Sequence, residues 1–213
     1  MSDLPVLFDY WRSSAAYRVR IALNLAGIAY QAVAVDIAND GQLSDENRAR
    51  NPQGKVPTLA IDGLLLTQSL AMIHYLADTR GLQILPDDAA ARARVTSLAH
   101  VIAMDIHPVC NTGVVFYIET LTQGGDQFLR DWMQKYIGSG LKAFQELLVD
   151  RPAGRCCFGD VPLLADMCLV PQLFNARRWD VDLEPLGLLV EIDAHLKTLE
   201  PFRLAHPEVV GAP

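Results

Sequence analysis

Apolar positions in the first part of the chain follow two periods, and the changes of period mark the elements. Leu4 to Tyr10 is a short apolar run ending in aromatic residues, which predicts a strand. Arg12-Ser13-Ser14 then opens a stretch with apolar residues at Val19, Ala22, Leu23 and Ala26. That is the spacing of one helix face, closed by Gly27 where a helix C-terminus favours glycine. Tyr30 to Asp36 reads as a second strand, so strand, helix and strand form one crossover unit of about 33 residues. The two strands should be parallel.

Residues 37–52 are polar, with a turn signal at Asp40-Gly41 and a short helix over Glu46 to Arg50. Val56 to Ile61 and Leu64 to Thr67 are apolar runs separated by Asp62-Gly63, the two-residue loop of a type I′ hairpin, which makes them antiparallel. Ser69 should cap a helix carrying Ile73, Leu76 and Ala77 on one face and stopping at Gly81. The order βαβ-(α)-ββα describes a mixed four-stranded sheet, the plan of a thioredoxin-like α/β domain over residues 1–82. Residues 83–88 read as a linker. Beyond it the strand period disappears, and 89–213 reads as an all-helical domain with helices near 89–107, 126–149, 163–177 and 188–199. Pro108, Gly124-Gly125, Pro152 and Pro185 break the pattern.

Composition narrows the class. Of 213 residues 51% are apolar and 20% charged, which excludes disorder, collagen-like repeats and coiled coil. Lys and Arg number 18 against 25 Asp and Glu; the net charge of −7 disfavours a phosphate-neutralising surface, so no nucleic-acid partner is expected. Met1-Ser2-Asp3-Leu4-Pro5 shows no basic stretch ahead of an apolar one, and no run of eighteen apolar residues is free of charge. The expectation is a soluble cytoplasmic protein with no membrane partner. Cys110, Cys156, Cys157 and Cys168 match neither a C-x-x-C redox pair nor a zinc site, so no metal is expected and the thiols read as buried and reduced.

The chemistry concentrates where helices follow strands. The start of the first helix turns free backbone N–H groups and a positive dipole end toward whatever lies before it, and Arg12, Ser13 and Ser14 add a guanidinium and two hydroxyls. With no C-x-x-C there, thiol–disulfide exchange is not expected. Ser13 or Ser14 could equally be a plain helix cap. Val56-Pro57 heads the third strand, where a proline donates no ladder hydrogen bond. A cis bond would open the Val56 backbone to a ligand; a trans bond would simply start an edge strand. Gln68-Ser69 places an amide and a hydroxyl at another helix start, again readable as a cap alone.

Taken together these segments carry a resemblance. The runs Ser13-Ser14-Ala15-Ala16-Tyr17-Arg18-Val19-Arg20-Ile21-Ala22-Leu23, Asn51-Pro52 through Val56-Pro57-Thr58-Leu59, and Gln68-Ser69 resemble a glutathione transferase of the zeta class. The likeness continues through Leu164-Ala165-Asp166 to Gln172 and Asn175-Ala176-Arg177-Arg178 to Leu183, nearly the whole chain. It implies the glutathione transferase fold, a homodimer, and glutathione as the cofactor. It places support of the glutathione thiolate on Ser13 with Ser14 beside it, and further glutathione contacts on Gln42, Val56 ahead of a cis-Pro57, Gln68, Ser69 and Asn111. Arg12 and Arg178 would meet substrate carboxylates, or alternatively form ion pairs with groups such as Asp180 or Asp182. His107 could line the cleft, and Arg18 and Arg20 read as structural.

The implied reaction is glutathione-dependent cis–trans isomerisation of maleylacetoacetate in aromatic amino-acid catabolism. Alternatives are the isomerisation of maleylpyruvate in gentisate-type degradation, transfer of glutathione to small electrophiles such as α-haloacids, and a non-catalytic binding module. Three positions depart from the family pattern. Ala15 stands where many members carry Cys, Cys110 where an amide is common, and Leu163 where a Ser or Thr usually caps the helix of Asp166. The last should cost about 1 kcal/mol of stability and leave Asp166 to serve that helix start alone.

Overall fold

The computed structural model describes residues 4–211; Met1, Ser2 and Asp3, part of the segment read for a leader, lie outside them. Two compact units are present. The first runs to Ile84 and takes in the chain from Thr198 onward; the second is Leu85–Lys197.

In the first unit β1 (Val6–Asp9), α1 (Ser14–Leu25) and β2 (Gln31–Ala34) form the expected crossover. Val6 pairs with Gln31 and Asp9 with Ala34 in parallel register. After α2 (Asp45–Arg50), β3 (Thr58–Ile61) pairs antiparallel with both β1 and β4 (Leu64–Leu66), and α3 (Ser69–Arg80) follows. The sheet order is β2-β1-β3-β4. Asp62 and Gly63 both adopt positive φ, 51° and 76°, as a type I′ hairpin requires. Leu7, Val19, Ile21, Leu23, Leu59, Met72, Ile73 and Leu76 make the core.

The C-terminal segment does not belong to the helical unit, contrary to the sequence reading of 89–213 as one domain. α10 (Glu200–Ala205) returns onto α1. Arg20 Nε donates to the Ala205 carbonyl and Asn24 Nδ2 to the Pro201 carbonyl, each at 3.0 Å, while the Tyr17 and His206 rings meet edge to face. With α3 packed along it too, α1 is closed to water from Ser14 through Leu23, polar residues included. α11 (Pro207–Val210) ends the described chain.

The second unit is helical: α4 (Ala89–His100), α5 (His107–Val109), α6 (Thr112–Thr122), α7 (Gly125–Leu147), α8 (Leu164–Arg178) and α9 (Gly187–Leu196). Pro108 does not break its helix. Val101–Ile106 winds as a π-helix, with the His107 N–H bonded to the Ile102 carbonyl, and the break falls at Cys110 and Asn111. Ile106 then lies where a Cβ on Gly140 of α7 would meet it at 2.4 Å, so only glycine lets the two segments approach this closely. By length and composition alone the run 89–122 would suffice to cross a bilayer, as many core helices would. α6, α10 and α11 are absent from the sequence reading. α6 exposes Phe116, Tyr117 and Leu121, so it lacks a clean apolar face, and α10 and α11 are too short for a period to register.

Candidate active site

Ser13 is the N-cap of α1, and Ser14 is the buried first residue of the helix. Ser13 Oγ accepts the Ala16 N–H at 3.2 Å. An oxygen that accepts from the helix keeps its own proton for a third group, so Ser13 presents an O–H donor at the positive end of α1. The cap reading of Ser13 describes this bond, and the same bond sets the rotamer of the hydroxyl.

Arg12, one residue earlier, lies over aromatic faces. Its guanidinium carbon is 4.8 Å from the Trp11 ring centre and 5.8 Å from that of Tyr10, and Nη2 donates to the Tyr10 hydroxyl at 2.9 Å. Among the described residues of the first unit, no carboxylate lies within ion-pair distance of Arg12.

The second helix start departs in detail from expectation. Gln68, not Ser69, is the N-cap of α3, and it offers no side-chain cap. Its φ of 68° with ψ of 109° is a sparsely populated conformation for a residue with a Cβ, and such strain is concentrated at functional positions. Its side-chain Nε2 bonds Gln53 Oε1 at 2.8 Å. Ser69 is buried as the first residue of α3, so the opening N–H groups of this helix carry no side-chain cap. The Val56-Pro57 bond is cis and stands immediately before β3.

Beneath Ser69 lies a residue the sequence reading treated as structural. Arg18 is 1% exposed, and its Nη1 approaches Ser69 Oγ at 3.5 Å, the outer limit of a hydrogen bond. Its Nε and Nη2 have no partner among the described residues. Arg20, also buried, differs sharply: Nη1 is 2.6 Å from Asp9 Oδ2, and Nη2 donates to the Trp11 carbonyl. Burial pushes the Asp9 carboxyl up, against the pull of Arg20. No pattern in the sequence distinguishes these two arginines, because the helix face that each occupies is buried by distant segments.

Gln42 sits half-buried in a 3-10 turn, Gly41–Leu43. Its Nε2 donates to Asp40 Oδ1 at 3.3 Å, its carbonyl accepts from Asn47, and its Oε1 is buried without a partner. Arg12, Ser13, Ser14, Gln42, Val56, Pro57, Gln68 and Ser69 thus all fall in the first unit. In the second unit Asn111 caps α6 through a bond from the Gly113 N–H, His107 is half-buried at the exit of the π-helix, and exposed Arg178 donates to Asn175 Oδ1. Asp180 pairs with Arg130. Among the described residues no group of His, Cys, Asp and Glu could hold a metal ion.

Residues 7–83 match the family described as glutathione S-transferase, N-terminal domain. Over 210 residues the chain is 55% identical to the maleylacetoacetate isomerase of Rhizobium meliloti strain 1021, covering 98% of each. A solved holo structure of maleylpyruvate isomerase, a bacterial glutathione S-transferase in the zeta class, superposes with a TM-score of 0.93 at 39% identity, covering 96% of this chain and 97% of the other. A crystal structure of maleylacetoacetate isomerase from Anaeromyxobacter dehalogenans 2CP-1, with dicarboxyethyl glutathione and citrate bound in its active site, superposes at 0.88 with 39% identity over all of both chains.

Proposed function

The chain belongs to the zeta-class glutathione transferases, the family of maleylacetoacetate and maleylpyruvate isomerases, and from that membership we propose that it isomerises maleylacetoacetate in a glutathione-dependent reaction. The observation that carries the substrate is the 55% identity to a maleylacetoacetate isomerase over nearly the whole length of both proteins. Maleylpyruvate is the second reading, favoured by the superposition on a maleylpyruvate isomerase.

The residues present fit glutathione. A tripeptide with a carboxylate at its γ-glutamyl end suits an uncapped helix start backed by a buried guanidinium with unpaired N–H groups. Gln68 and Ser69 would hold that end, the Val56 backbone the cysteinyl part, and Gln42 a further portion of the peptide. Bound glutathione supplies a thiolate that adds reversibly to the substrate's double bond, freeing it to rotate. Ser13 donates its proton toward that sulfur, and the N–H groups of α1 add positive potential, which together hold the thiol deprotonated near neutral pH. Ala15 removes a second thiol from this helix start and leaves the serine donor untouched. Arg12, stacked on Trp11, would take a substrate carboxylate. For Arg178, His107 and Asn111 the family resemblance alone supports a ligand role.

The same reading places the protein in the cytoplasm as a homodimer, acting in tyrosine and phenylalanine breakdown. The test is ultraviolet absorbance of maleylacetoacetate and, in parallel, maleylpyruvate, each with and without glutathione, followed by product identification. Conversion to the fumaryl isomer without net loss of glutathione is expected, faster for maleylacetoacetate. Conversion of neither, with glutathione conjugates or halide released from α-haloacids instead, would replace isomerase by transferase.

A further inference from the structure

Arg18 and Arg20 are neighbours on one buried helix, yet only one has a counter-charge. Arg20 is neutralised by Asp9, whereas Arg18 makes no ion pair among the described residues and has a single long contact, to Ser69 Oγ. A guanidinium stays charged in any environment, and a buried charge without a partner is unfavourable. Two further nitrogens of the same side chain, Nε and Nη2, are also unpaired among the described residues. This cation underlies the start of a twelve-residue helix whose first N–H groups have no side-chain cap and whose N-cap, Gln68, is conformationally strained.

We propose that Arg18 is the positioning residue of the carboxylate-binding end of the glutathione site. Acting through Ser69, it supplies the positive charge that an incoming γ-glutamyl carboxylate neutralises. Donation from Arg18 into Ser69 Oγ fixes that oxygen as an acceptor on its inner side, so its proton points outward to the ligand. A hydroxyl polarised in this way by a cation is a stronger donor. The countercharge missing from the free protein arrives with the ligand, so Arg18 trades stability of the free protein for affinity. This inference rests on the assignment of glutathione to the first unit.

The test is calorimetric binding of two probes to the full chain: glutathione, and the analogue lacking its γ-glutamyl α-carboxylate, 4-aminobutanoyl-cysteinylglycine. Arg18→Met should weaken glutathione by about tenfold or more, the scale of a hydrogen bond to a charged group. It should leave the weaker affinity for the analogue within about twofold of wild type, on the same scale, with the thermal midpoint of the free protein unchanged or raised. Arg18→Lys, which keeps the charge and loses the fork, should show a smaller loss confined to glutathione, and carries the test if Arg18→Met does not fold. Equal losses for both probes, or none, overturn the role of Arg18 while leaving the glutathione site standing. Failure of the wild type to bind glutathione removes the site assignment and this inference with it.

Discussion

Asp9 Oδ2 lies 2.6 Å from Arg20 Nη1, both side chains are closed to water, and the remaining nitrogens of Arg20 hold the carbonyls of Trp11 and Ala205. One guanidinium thereby fixes the end of β1, the approach to Ser13 and the returning C-terminal segment. Removing one partner of a buried pair costs roughly 3–5 kcal/mol, because the other charge is left alone. Arg20→Met should reach that cost in urea unfolding. It should also expose residues after Thr198 to proteolysis, since Ala205 loses its tie. Asp9→Asn should cost less, as Arg20 retains two carbonyls. A loss for Arg20→Met no larger than that of a surface ion pair would show that the pair is not what holds this junction.

Ser13→Ala removes a helix cap and an outward donor together, and the two losses separate by magnitude. The cap is worth about 1 kcal/mol of stability. The donor, if it faces a thiolate, is worth roughly 10- to 100-fold in turnover, as for other hydrogen bonds to charged groups. Steady-state kinetics across pH should show the reduced rate recovering toward alkaline pH as the thiol ionises unaided. An unchanged rate would move thiolate support to Ser14 or to the backbone N–H groups of α1.

Local chemistry was legible in the sequence and distant burial was not. Asp62-Gly63 announces its hairpin because few residues tolerate two successive positive φ values, and Ser13 announces α1 because a hydroxyl there answers an unpaired N–H. Gln68 could not be read as the cap of α3, since its conformation is held by surroundings rather than preferred by glutamine. Pro108 misled because a π-turn absorbs it. Arg18 reads as a polar position on an ordinary amphipathic helix until α3 and α10 cover the other faces. The return of the chain after Thr198 is likewise fixed by contacts some 180 residues apart, such as Arg20 with Ala205.

The buried thiols contribute to the loss of stability at alkaline pH. Burial pushes Cys110 up to about 11 and Cys156 to about 12 from an ordinary value of 9.0, and burial with Asp166 nearby takes Cys157 well above it. Each folded pKa is raised, so the folded state keeps protons that the unfolded chain releases. Stability is then full below about pH 9 and falls as pH rises toward the folded values, by about 1.4 kcal/mol per pH unit for each thiol. Cys110→Ala should flatten the fall between pH 9 and 11 by about one proton, measured as urea midpoints across that range. An unaltered slope would mean that Cys110 ionises in the native state.

Leu163 precedes α8 where a Ser or Thr would ordinarily cap, and whether that costs stability depends on two opposing magnitudes. The leucine side chain is buried, and burying a leucine is worth about 1.5–3 kcal/mol, whereas a cap oxygen contributes about 1 kcal/mol. Burial wins, so Leu163→Thr should destabilise by about 1 kcal/mol rather than restore a lost cap. The work at this helix start falls instead to Asp166, whose two oxygens accept the Leu163 N–H at 2.8 Å and the Cys157 N–H at 2.7 Å. Burial raises its pKa while those two donors pull it down. Asp166→Ala strands both N–H groups in the interior at about 1–3 kcal/mol each, so it should be the more damaging change by a wide margin. Asp166→Asn should fall between, because its amide presents one acceptor and turns a donor toward the second N–H. Urea midpoints in the order wild type, Leu163→Thr, Asp166→Asn, Asp166→Ala are expected; Leu163→Thr ranking above wild type would mean that the missing cap, not the buried leucine, decides this turn.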